Sequence, residues 1–146
     1  MFKKLLVPVD GSAHSTRAVK AAGELADCCG ASICLLHVIR DLSLPKEILS
    51  MMAAGEVTAS RMQILQDSAD IILDNARTKI EAAGVEEVTT QCLMGDPATK
   101  ILEYAAEQGV DVIVLGLRGL GPNPDLLGGV ARKIVNRTTV SCLVVT

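Results

Sequence analysis

Apolar positions along this chain alternate between the pattern of buried strands and the pattern of amphipathic helices. Short, nearly continuous apolar runs predict five strands, and apolar residues spaced three or four apart predict helices between them. The predicted strands are residues 4–9, 31–39, 87–94, 110–115 and 141–145. The clearest helical stripe runs for about six turns and consists of Met62, Leu65, Ala69, Ile72, Ala76, Ile80 and Ala83.

Residues with strong preferences for helix ends mark where the predicted helices stop and start. Gly30 and Gly84 follow apolar stripes, and glycine is common just past a helix C-terminus. Asp96 and Pro97 offer an N-cap and a proline at the first helical position. The last helix is predicted from the stripe Leu127, Val130, Ala131, Ile134 and Val135.

Strict alternation of strands and helices indicates an α/β fold. Because the strands are rich in Val, Ile and Leu throughout, we expect a parallel sheet buried on both faces. The sequence therefore predicts a single domain over residues 1–146, a doubly wound five-stranded parallel sheet with helices on both faces. Residues 41–56 form a longer connection than usual, and they are either an extra helical turn or a lid or partner surface.

Composition excludes some classes of function. Aromatic residues make up 1% of the chain and the formal net charge is −3, so a nucleic-acid-binding surface is not expected. No apolar run reaches the roughly 18 residues that span a bilayer, and we expect a cytoplasmic protein without a membrane role. The five cysteines lack metal-ligand spacing and are predicted to be small buried hydrophobes, with a redox role for Cys28–Cys29 as the alternative.

Glycines after the fourth predicted strand point to a phosphate site. Gly116 and Gly119 follow that strand, and Gly128 and Gly129 precede the last helix. Backbone N–H groups and a helix N-terminus converge in such a loop, which favours an anion. The alternative is a flexible loop that uses glycine for turns with positive φ.

Asp10 follows the first strand and is the second candidate binding residue. Ligands of open α/β sheets bind where the strand order reverses. If the first and fourth strands flank that reversal, residues 8–12 face the glycine loop. Asp10 then either accepts a ribose hydroxyl or coordinates a phosphate-bound metal ion, or it caps the following helix.

The sequence resembles the universal stress protein family over essentially its whole length apart from residues 41–56. The resemblance rests on residues 3–12, 36–38, 95–97, 111–116 and 142–145. It implies a five-stranded, Rossmann-like fold of the adenine nucleotide alpha-hydrolase type and a homodimer. The family has a branch that binds ATP and a branch that does not bind nucleotide.

The ATP-binding branch carries G-x-x-G, nine residues, and then G-[ST]. Gly116 and Gly119 match the first half. Taking Gly128 as the next motif glycine leaves eight intervening residues and puts Gly129 in place of Ser or Thr, whereas counting nine selects Gly129 followed by Val130. The missing hydroxyl weakens phosphate binding by about tenfold and does not abolish it.

The resemblance to the ATP-binding branch implies a set of site residues. Asp10 is expected beside the ribose and as a ligand of Mg²⁺ or Mn²⁺ carried by ATP or AMP. The backbone at Val38 is expected beside the adenine, with Val9, Val38 and Met94 sandwiching the base. The full nucleotide-binding set is Pro8, Val9, Asp10, Val38, Met94, Gly95, Gly116, Leu117, Arg118, Gly119, Gly128, Gly129, Val130 and Ala131.

The function that this resemblance implies is an adenine-nucleotide-binding stress-response protein. It would act as a dimeric regulatory or signalling module, pairing through its C-terminal strand and contacting an unidentified protein partner. The alternative is a dimeric interaction module of the same family that binds no nucleotide. No catalytic residue is expected, and any catalytic activity would be limited to slow hydrolysis of ATP.

Two histidines need separate interpretation. His37 lies near the end of the second predicted strand and is either a ligand contact or a structural residue. His14 lies close in sequence to Asp10, Ser12 and Ser15, but local spacing establishes neither an oriented base nor an oxyanion hole, so we expect no catalytic triad.

Overall fold

Five strands and four helices alternate along the part of the chain that the computed structural model describes, residues 2–40, 58–119 and 127–146. In chain order they are β1 (Lys4–Pro8), α1 (Ala13–Cys29), β2 (Ser32–Arg40), α2 (Thr58–Ala82), β3 (Val88–Gly95), α3 (Pro97–Glu107), β4 (Val112–Gly116), α4 (Gly129–Arg137) and β5 (Ser141–Val145). The predicted order of elements is confirmed. The interpretations of residues 41–56 lie outside the described residues.

The strands form one parallel sheet in the order β3-β2-β1-β4-β5. The chain moves outward from β1 to β3 on one side and then crosses back to β4 on the other. The strand order therefore reverses between β1 and β4, where a ligand crevice of such a sheet is expected. This arrangement confirms the doubly wound α/β prediction and puts the residues after β1 and after β4 side by side.

Two apolar cores lie on opposite faces of the sheet, because successive side chains of a strand point to opposite sides. Leu5 and Val7 belong to a core completed by buried residues of α1 and α2. Leu6 belongs to the other core, which α3 and α4 complete. The predicted stripe of α2 is confirmed in its buried members Ala69, Ala76 and Ile80, and Leu73 joins them.

Capping residues fix both ends of α1 and the start of α3. Ser12 caps α1 by accepting a hydrogen bond from the Ser15 N–H at 3.1 Å. Asp96 caps α3 through the Thr99 N–H, with Pro97 at the first helical position, as predicted. Gly30 ends α1 with a φ of 65°, the left-handed conformation that glycine adopts most easily.

The cysteines are more exposed than predicted. Cys34 is buried, and Cys92 and Cys142 are partly buried, whereas Cys28 and Cys29 are exposed in the last turn of α1. The prediction of buried thiols is therefore wrong for this pair, because the apolar stripe of α1 passes through Ala22 and Ala26 and leaves the helix end in solvent. Within the described residues, no helix has the length and apolar character needed to cross a membrane.

Candidate functional site

The crevice between β1 and β4 brings Asp10 and Gly119 together. Asp10 lies two residues after β1, and Gly119 lies three residues after β4. A Cβ atom added to Gly119 would stand 2.5 Å from Asp10 Oδ2. Two segments that are more than a hundred residues apart in sequence thus meet at the reversal of the strand order, as the sequence predicts.

A local network holds the Asp10 carboxylate in place. Its Oδ1 accepts a hydrogen bond from the Ser12 N–H at 2.9 Å, and the Asp10 N–H donates to Ser15 Oγ at 3.2 Å. Ser12 is the residue that caps α1, so the capping interpretation of Asp10 is wrong. One carboxylate oxygen maintains the turn, and the other lies against Gly119.

Ser12 and Ser15 are site-supporting residues to which the sequence analysis gave no role. The signal was present as a carboxylate followed at two and five residues by hydroxyls, a pattern in which Asp and Ser side chains bond nearby backbone groups. The pattern alone did not show whether the aspartate or the first serine would cap the helix.

The two ends of the glycine loop are tied to the sheet and to each other. The Leu117 N–H donates to the Val145 carbonyl oxygen of β5 at 2.8 Å. The Gly128 N–H donates to the Leu117 carbonyl oxygen at 2.7 Å. Neither N–H group is therefore available to an anion, although both residues belong to the predicted binding set.

Close approach of neighbouring atoms, and not backbone conformation, accounts for Gly116, Gly119 and Gly128 in this loop. None of Gly116, Gly119, Gly128 and Gly129 has a φ in the left-handed region. A Cβ on Gly116 would stand 2.7 Å from the carbonyl carbon of His14, and one on Gly128 would stand 3.2 Å from Arg118 Cα. The alternative that these glycines serve positive-φ turns is wrong.

Backbone donors for an anion remain at the start of α4. Gly129, Val130 and Ala131 occupy its first turn, where N–H groups have no acceptor within the helix. The partial positive charge of the helix N-terminus adds to their effect. A Cβ on Gly129 would have no described atom within 4 Å.

The predicted adenine side of the site needs correction. Val9 is 4% exposed and packs in the core on the α1 face, whereas Val38 packs against the core on the opposite face. Their side chains lie on different sides of the sheet, so the predicted sandwich of a base between them is wrong. Pro8 is the last residue of β1, and Val38 lies two residues before the end of β2.

Backbone groups of Val9 are also engaged. Its N–H donates to the Leu36 carbonyl oxygen at 2.8 Å, and its carbonyl oxygen lies 2.7 Å from His37 Nδ1. The hydrogen bond to Val9 favours the structural interpretation of His37. It joins the end of β1 to β2 beside the crevice.

Met94 and Gly95 lie in β3, the outer strand on the side of the sheet opposite β5. Both are at the end of β3, which β2 separates from β1. The Met94 side chain is 42% exposed. A Cβ on Gly95 would stand 2.8 Å from Lys100 Cε, so a lysine side chain covers this glycine. Two strands, β2 and β1, therefore lie between these residues and β4, the strand that precedes the glycine loop.

His14, in the first turn of α1, lies near the start of the glycine loop, because its backbone meets Gly116. The residue is partly buried, and its Nδ1 is enclosed with no hydrogen-bond partner among the described residues. Desolvation lowers the pKa of the imidazole, the positive charges of Arg17 and Arg118 lower it further, and the Asp10 carboxylate opposes the shift. The net shift favours the neutral form of the ring.

The described residues hold no cluster of three or more His, Cys, Asp or Glu side chains that would bind a metal ion by itself. Asp10 supplies one carboxylate at the crevice. Mg²⁺ in proteins is commonly held by one or two carboxylates together with substrate phosphates. A single carboxylate among the described residues is compatible with a metal ion that arrives with substrate phosphates.

A family model described as the universal stress protein family matches residues 1–146. The chain belongs to this family. The universal stress protein YxiE of Bacillus subtilis is 34% identical over 149 residues, with 99% of each chain covered. The sequence match thus extends over nearly the whole of this universal stress protein and of its relative.

Solved structures agree with the family assignment. The structure of MJ0577, a universal stress protein of Methanocaldococcus jannaschii, superposes with a TM-score of 0.83 at 26% identity and covers 99% of this chain and 96% of its own. A universal stress protein described as a complex with cAMP superposes with a TM-score of 0.71 at 23% identity, covering 99% of this chain and 96% of its own. The latter shares the fold.

Proposed function

We propose that this universal stress protein binds an adenine nucleotide, ATP or AMP, in the crevice between β1 and β4 and signals its bound state to a protein partner. The observation that carries the proposal is the approach of the Asp10 carboxylate to Gly119, where a Cβ would stand 2.5 Å from Oδ2. The carboxylate faces a residue without a side chain at the edge of the sheet where ligands of this fold class bind.

Each part of the nucleotide has a matching group. Asp10 Oδ2 is placed to accept a ribose hydroxyl, because Oδ1 is already engaged with Ser12. The N–H groups of Gly129, Val130 and Ala131 at the start of α4 suit the phosphates. Arg118, in the loop after β4, adds a positive charge, and a planar guanidinium binds phosphate oxygens in pairs.

A divalent cation fits as part of the bound nucleotide. Asp10 is the described residue that would share Mg²⁺ or Mn²⁺ with the phosphate oxygens, and the ion would neutralise phosphate charge. The cAMP complex of a protein with the same fold supports an adenine ring as the base. The choice between ATP and AMP depends on how many phosphates the loop accommodates.

Calorimetric titration of nucleotide-free protein with ATP in the presence of Mg²⁺ tests the proposal. We expect saturable binding at one site per chain with a dissociation constant in the micromolar range, about −8 kcal/mol. Titration with AMP in the same buffer measures the contribution of the outer phosphates. No heat from folded protein up to millimolar ATP would refute the proposal.

A specific observation supports the alternative, a dimeric interaction module that binds no nucleotide. The position that carries Ser or Thr in the ATP-binding branch is Gly129 or Val130 here. The Leu117 and Gly128 N–H groups are also bonded within the protein. If this alternative holds, changes in the crevice leave partner binding intact, whereas the nucleotide proposal requires them to alter it.

We also propose a homodimer formed through β5. This strand lies at the edge of the sheet and pairs with β4 alone in the described structure. Leu143, in the middle of β5, is 40% exposed. An apolar edge is usually covered, and pairing of two such strands across a two-fold axis covers both.

Sedimentation at micromolar concentration tests the dimer. Leu143→Lys introduces a charge on the exposed edge, and we expect it to shift the population to monomer. Val135, 42% exposed on α4, provides the control substitution Val135→Lys, which changes an equally exposed apolar residue outside β5. A wild-type protein that sediments as a monomer contradicts the dimer proposal. The expected cytoplasmic location stays a prediction.

A further inference from the structure

A pocket lies between α1 and α2 on one face of the sheet. The two helices come close at one end, where a Cβ on Gly23 would stand 3.0 Å from the Cβ of Ala83, the residue after α2. The turn before α1 also approaches α2, since a Cβ on Gly11 would stand 3.4 Å from the Ile72 side chain. The helices and this turn leave a pocket of about 190 Å³ between them.

The buried part of the pocket lining is mostly apolar. Val9, Val19 and Ala76 are buried and line the pocket. Ser15 and Ala76 contribute short side chains from the two helices, and such side chains fill little of the space between them. Because protein interiors are normally close-packed, this space beside the core can hold a small apolar group.

Ser15 places an unengaged hydrogen-bond donor in the pocket. The residue is 5% exposed, and its Oγ accepts a hydrogen bond from the Asp10 N–H at 3.2 Å. A serine hydroxyl can also donate, but the Ser15 O–H has no acceptor among the described residues. Because an unused buried donor costs free energy, a ligand that carries an acceptor oxygen is favoured here.

The exposed rim of the pocket adds a positive charge. Asn75 and Lys79 lie one turn apart on α2, and Lys79 is the charged residue in the described lining. Its ammonium group forms no hydrogen bond or ion pair with a described residue. The Thr16 hydroxyl is already engaged, because it donates to the Ser12 carbonyl oxygen at 3.1 Å. The groups available to a ligand therefore suit an anion that accepts hydrogen bonds.

We propose that this pocket binds a short-chain monocarboxylate. The carboxylate accepts hydrogen bonds from the Ser15 hydroxyl and the Lys79 ammonium, and the alkyl chain packs against Val19 and Ala76. The apolar lining favours such a ligand over an inorganic anion, which has no apolar part. The volume is below the roughly 300 Å³ of small drug-sized sites, so the ligand has only a few carbon atoms.

The pocket is separate from the proposed phosphate donors. Its lining comes from the residue after β1, the turn that follows, α1 and α2, and Val9 and Val19 belong to the core on the α1 face. Ala131, in the first turn of α4, belongs to the core on the opposite face of the sheet. The inference therefore does not depend on nucleotide binding in the crevice.

Nuclear magnetic resonance titrations with sodium butanoate and sodium hexanoate test the inference. We expect the methyl signals of Val9 and Val19 to shift saturably, with a hexanoate dissociation constant of about 1 mM. Each added methylene group is expected to tighten binding by about fourfold. Methyl signals that stay unchanged at hexanoate concentrations far above this value would overturn the inference.

Ligands of matched size test the role of charge. Hexan-1-ol retains the alkyl chain without the negative charge, and the hexylammonium ion reverses the charge. We expect both to bind at least tenfold more weakly than hexanoate, because a hydrogen bond to a charged group contributes more than a neutral one. Equal binding of the three compounds, or equal shifts with inorganic phosphate, contradicts a carboxylate site.

Substitutions in the pocket identify the two donors. Lys79→Met removes the charge of an exposed side chain and keeps most of its length, and Ser15→Ala removes the buried hydroxyl. Each is expected to weaken hexanoate binding by about tenfold, with thermal unfolding used to confirm that the variants are folded. Lys100→Met, on α3 at the other face of the sheet, is the matched control and is expected to bind like wild type. If Lys79→Met binds hexanoate with wild-type affinity, the inference is wrong.

Addition of ATP with Mg²⁺ distinguishes the pocket from the crevice. We expect the hexanoate shifts of Val19 to persist at saturating ATP. Displacement of hexanoate by ATP would mean that both occupy the crevice, and the separate site would be refuted. A protein that binds hexanoate but not ATP would refute the proposed function alone, so the two failures are distinguishable.

Discussion

Replacing Gly119 with alanine perturbs the contact that joins the two halves of the candidate site. The new Cβ would stand 2.5 Å from Asp10 Oδ2, whereas ordinary van der Waals contact begins at 3.4 Å. The carboxylate oxygen or the loop must therefore move by about 0.9 Å, the difference between these two distances. Gly119 has no positive φ, so the effect comes from the contact and not from backbone strain.

The size of the effect follows from what holds the carboxylate. Asp10 has a short side chain, and its Oδ1 is bonded to the Ser12 N–H at 2.9 Å. Displacing Oδ2 therefore strains or breaks this hydrogen bond, which has a charged acceptor and contributes about 1.5 kcal/mol. For a chain of this length that loss lowers Tm by about 5 °C.

Nucleotide binding is expected to suffer more than stability. The methyl group occupies the side of Asp10 that faces the crevice, and the carboxylate loses its position for the ribose. Loss of one charge-assisted hydrogen bond weakens binding by roughly ten- to a hundredfold. Gly119→Ala is therefore expected to remain folded at 25 °C and to bind ATP weakly or not at all.

Thermal unfolding and calorimetric titration of wild type and variant measure both effects. Gly129→Ala is the matched control for stability, because no described atom lies within 4 Å of the added Cβ, and we expect its Tm to equal that of wild type within about 2 °C. If Gly119→Ala unfolds at the wild-type temperature and binds ATP with wild-type affinity, the contact between Gly119 and Asp10 has no part in the site.

Three further predictions concern the loop glycines and the chain's N-terminal strand. Gly129→Ser is expected to tighten ATP binding by up to about tenfold relative to Gly129→Ala, because no described atom obstructs a side chain here and the added hydroxyl can hydrogen-bond phosphate. Equal dissociation constants for the two variants in calorimetry would contradict this. Gly116→Ala drives a Cβ into the His14 backbone at 2.7 Å and is expected to cost about 2 kcal/mol of stability, or about 6 °C in Tm, whether or not nucleotide is present; a thermal melt like that of wild type would refute it. The Asp111 carboxylate accepts hydrogen bonds from the Lys3 and Lys4 N–H groups, and these bonds lower the pKa of the carboxyl. The carboxylate therefore stabilises the fold fully above about pH 4, the ordinary pKa of an unfolded aspartate, and this stabilisation is lost as pH falls through the lowered pKa of the folded state. Urea midpoints of Asp111→Asn are therefore expected to lie below those of wild type at pH 7 and to converge with them in acid, and a constant difference at all pH values would count against this reasoning.

The fold was predictable from sequence because its signals are local and repeated. Each buried strand is an apolar run, and each helix has an apolar stripe. Asp96 begins α3 through a side-chain hydrogen bond, and Gly30 ends α1 through its left-handed backbone conformation. The sequence analysis supposed that the strand order reverses between β1 and β4, and the observed sheet order agrees. The order of elements could be predicted without knowledge of any contact between residues distant in sequence.

The adenine side of the site was not predictable because it depends on register between strands. Alternation within β1 puts Val7 and Val9 on one face, and alternation within β2 puts Leu36 and Val38 on one face. Because Pro8 pairs with Leu36, these two residues share a face of the sheet, so Val38 lies on that face and Val9 on the other. A sequence contains the period of each strand but not the offset between strands, so the predicted sandwich of a base between Val9 and Val38 is wrong.

The sequence also could not show why each glycine of the loop lacks a side chain, and this difference bears on function. Gly116, Gly119 and Gly128 look equivalent in the sequence, yet each lacks a side chain for a different reason. Gly116 is required by the His14 backbone, and Gly128 approaches Arg118 and Leu117. At both positions the close neighbours are atoms of the protein itself, so these glycines would also be required in a module that binds no ligand.

Gly119 differs because its close neighbour is the carboxylate of Asp10. A larger residue at this position could be accommodated in a module without a ligand by turning the Asp10 side chain outward, since one weakened hydrogen bond is a modest cost. Keeping the carboxylate against an exposed glycine matters when both face a ligand. Gly119 is therefore the loop glycine whose substitution separates the nucleotide-binding function from the alternative, whereas substitution of Gly116 or Gly128 reports mainly on packing.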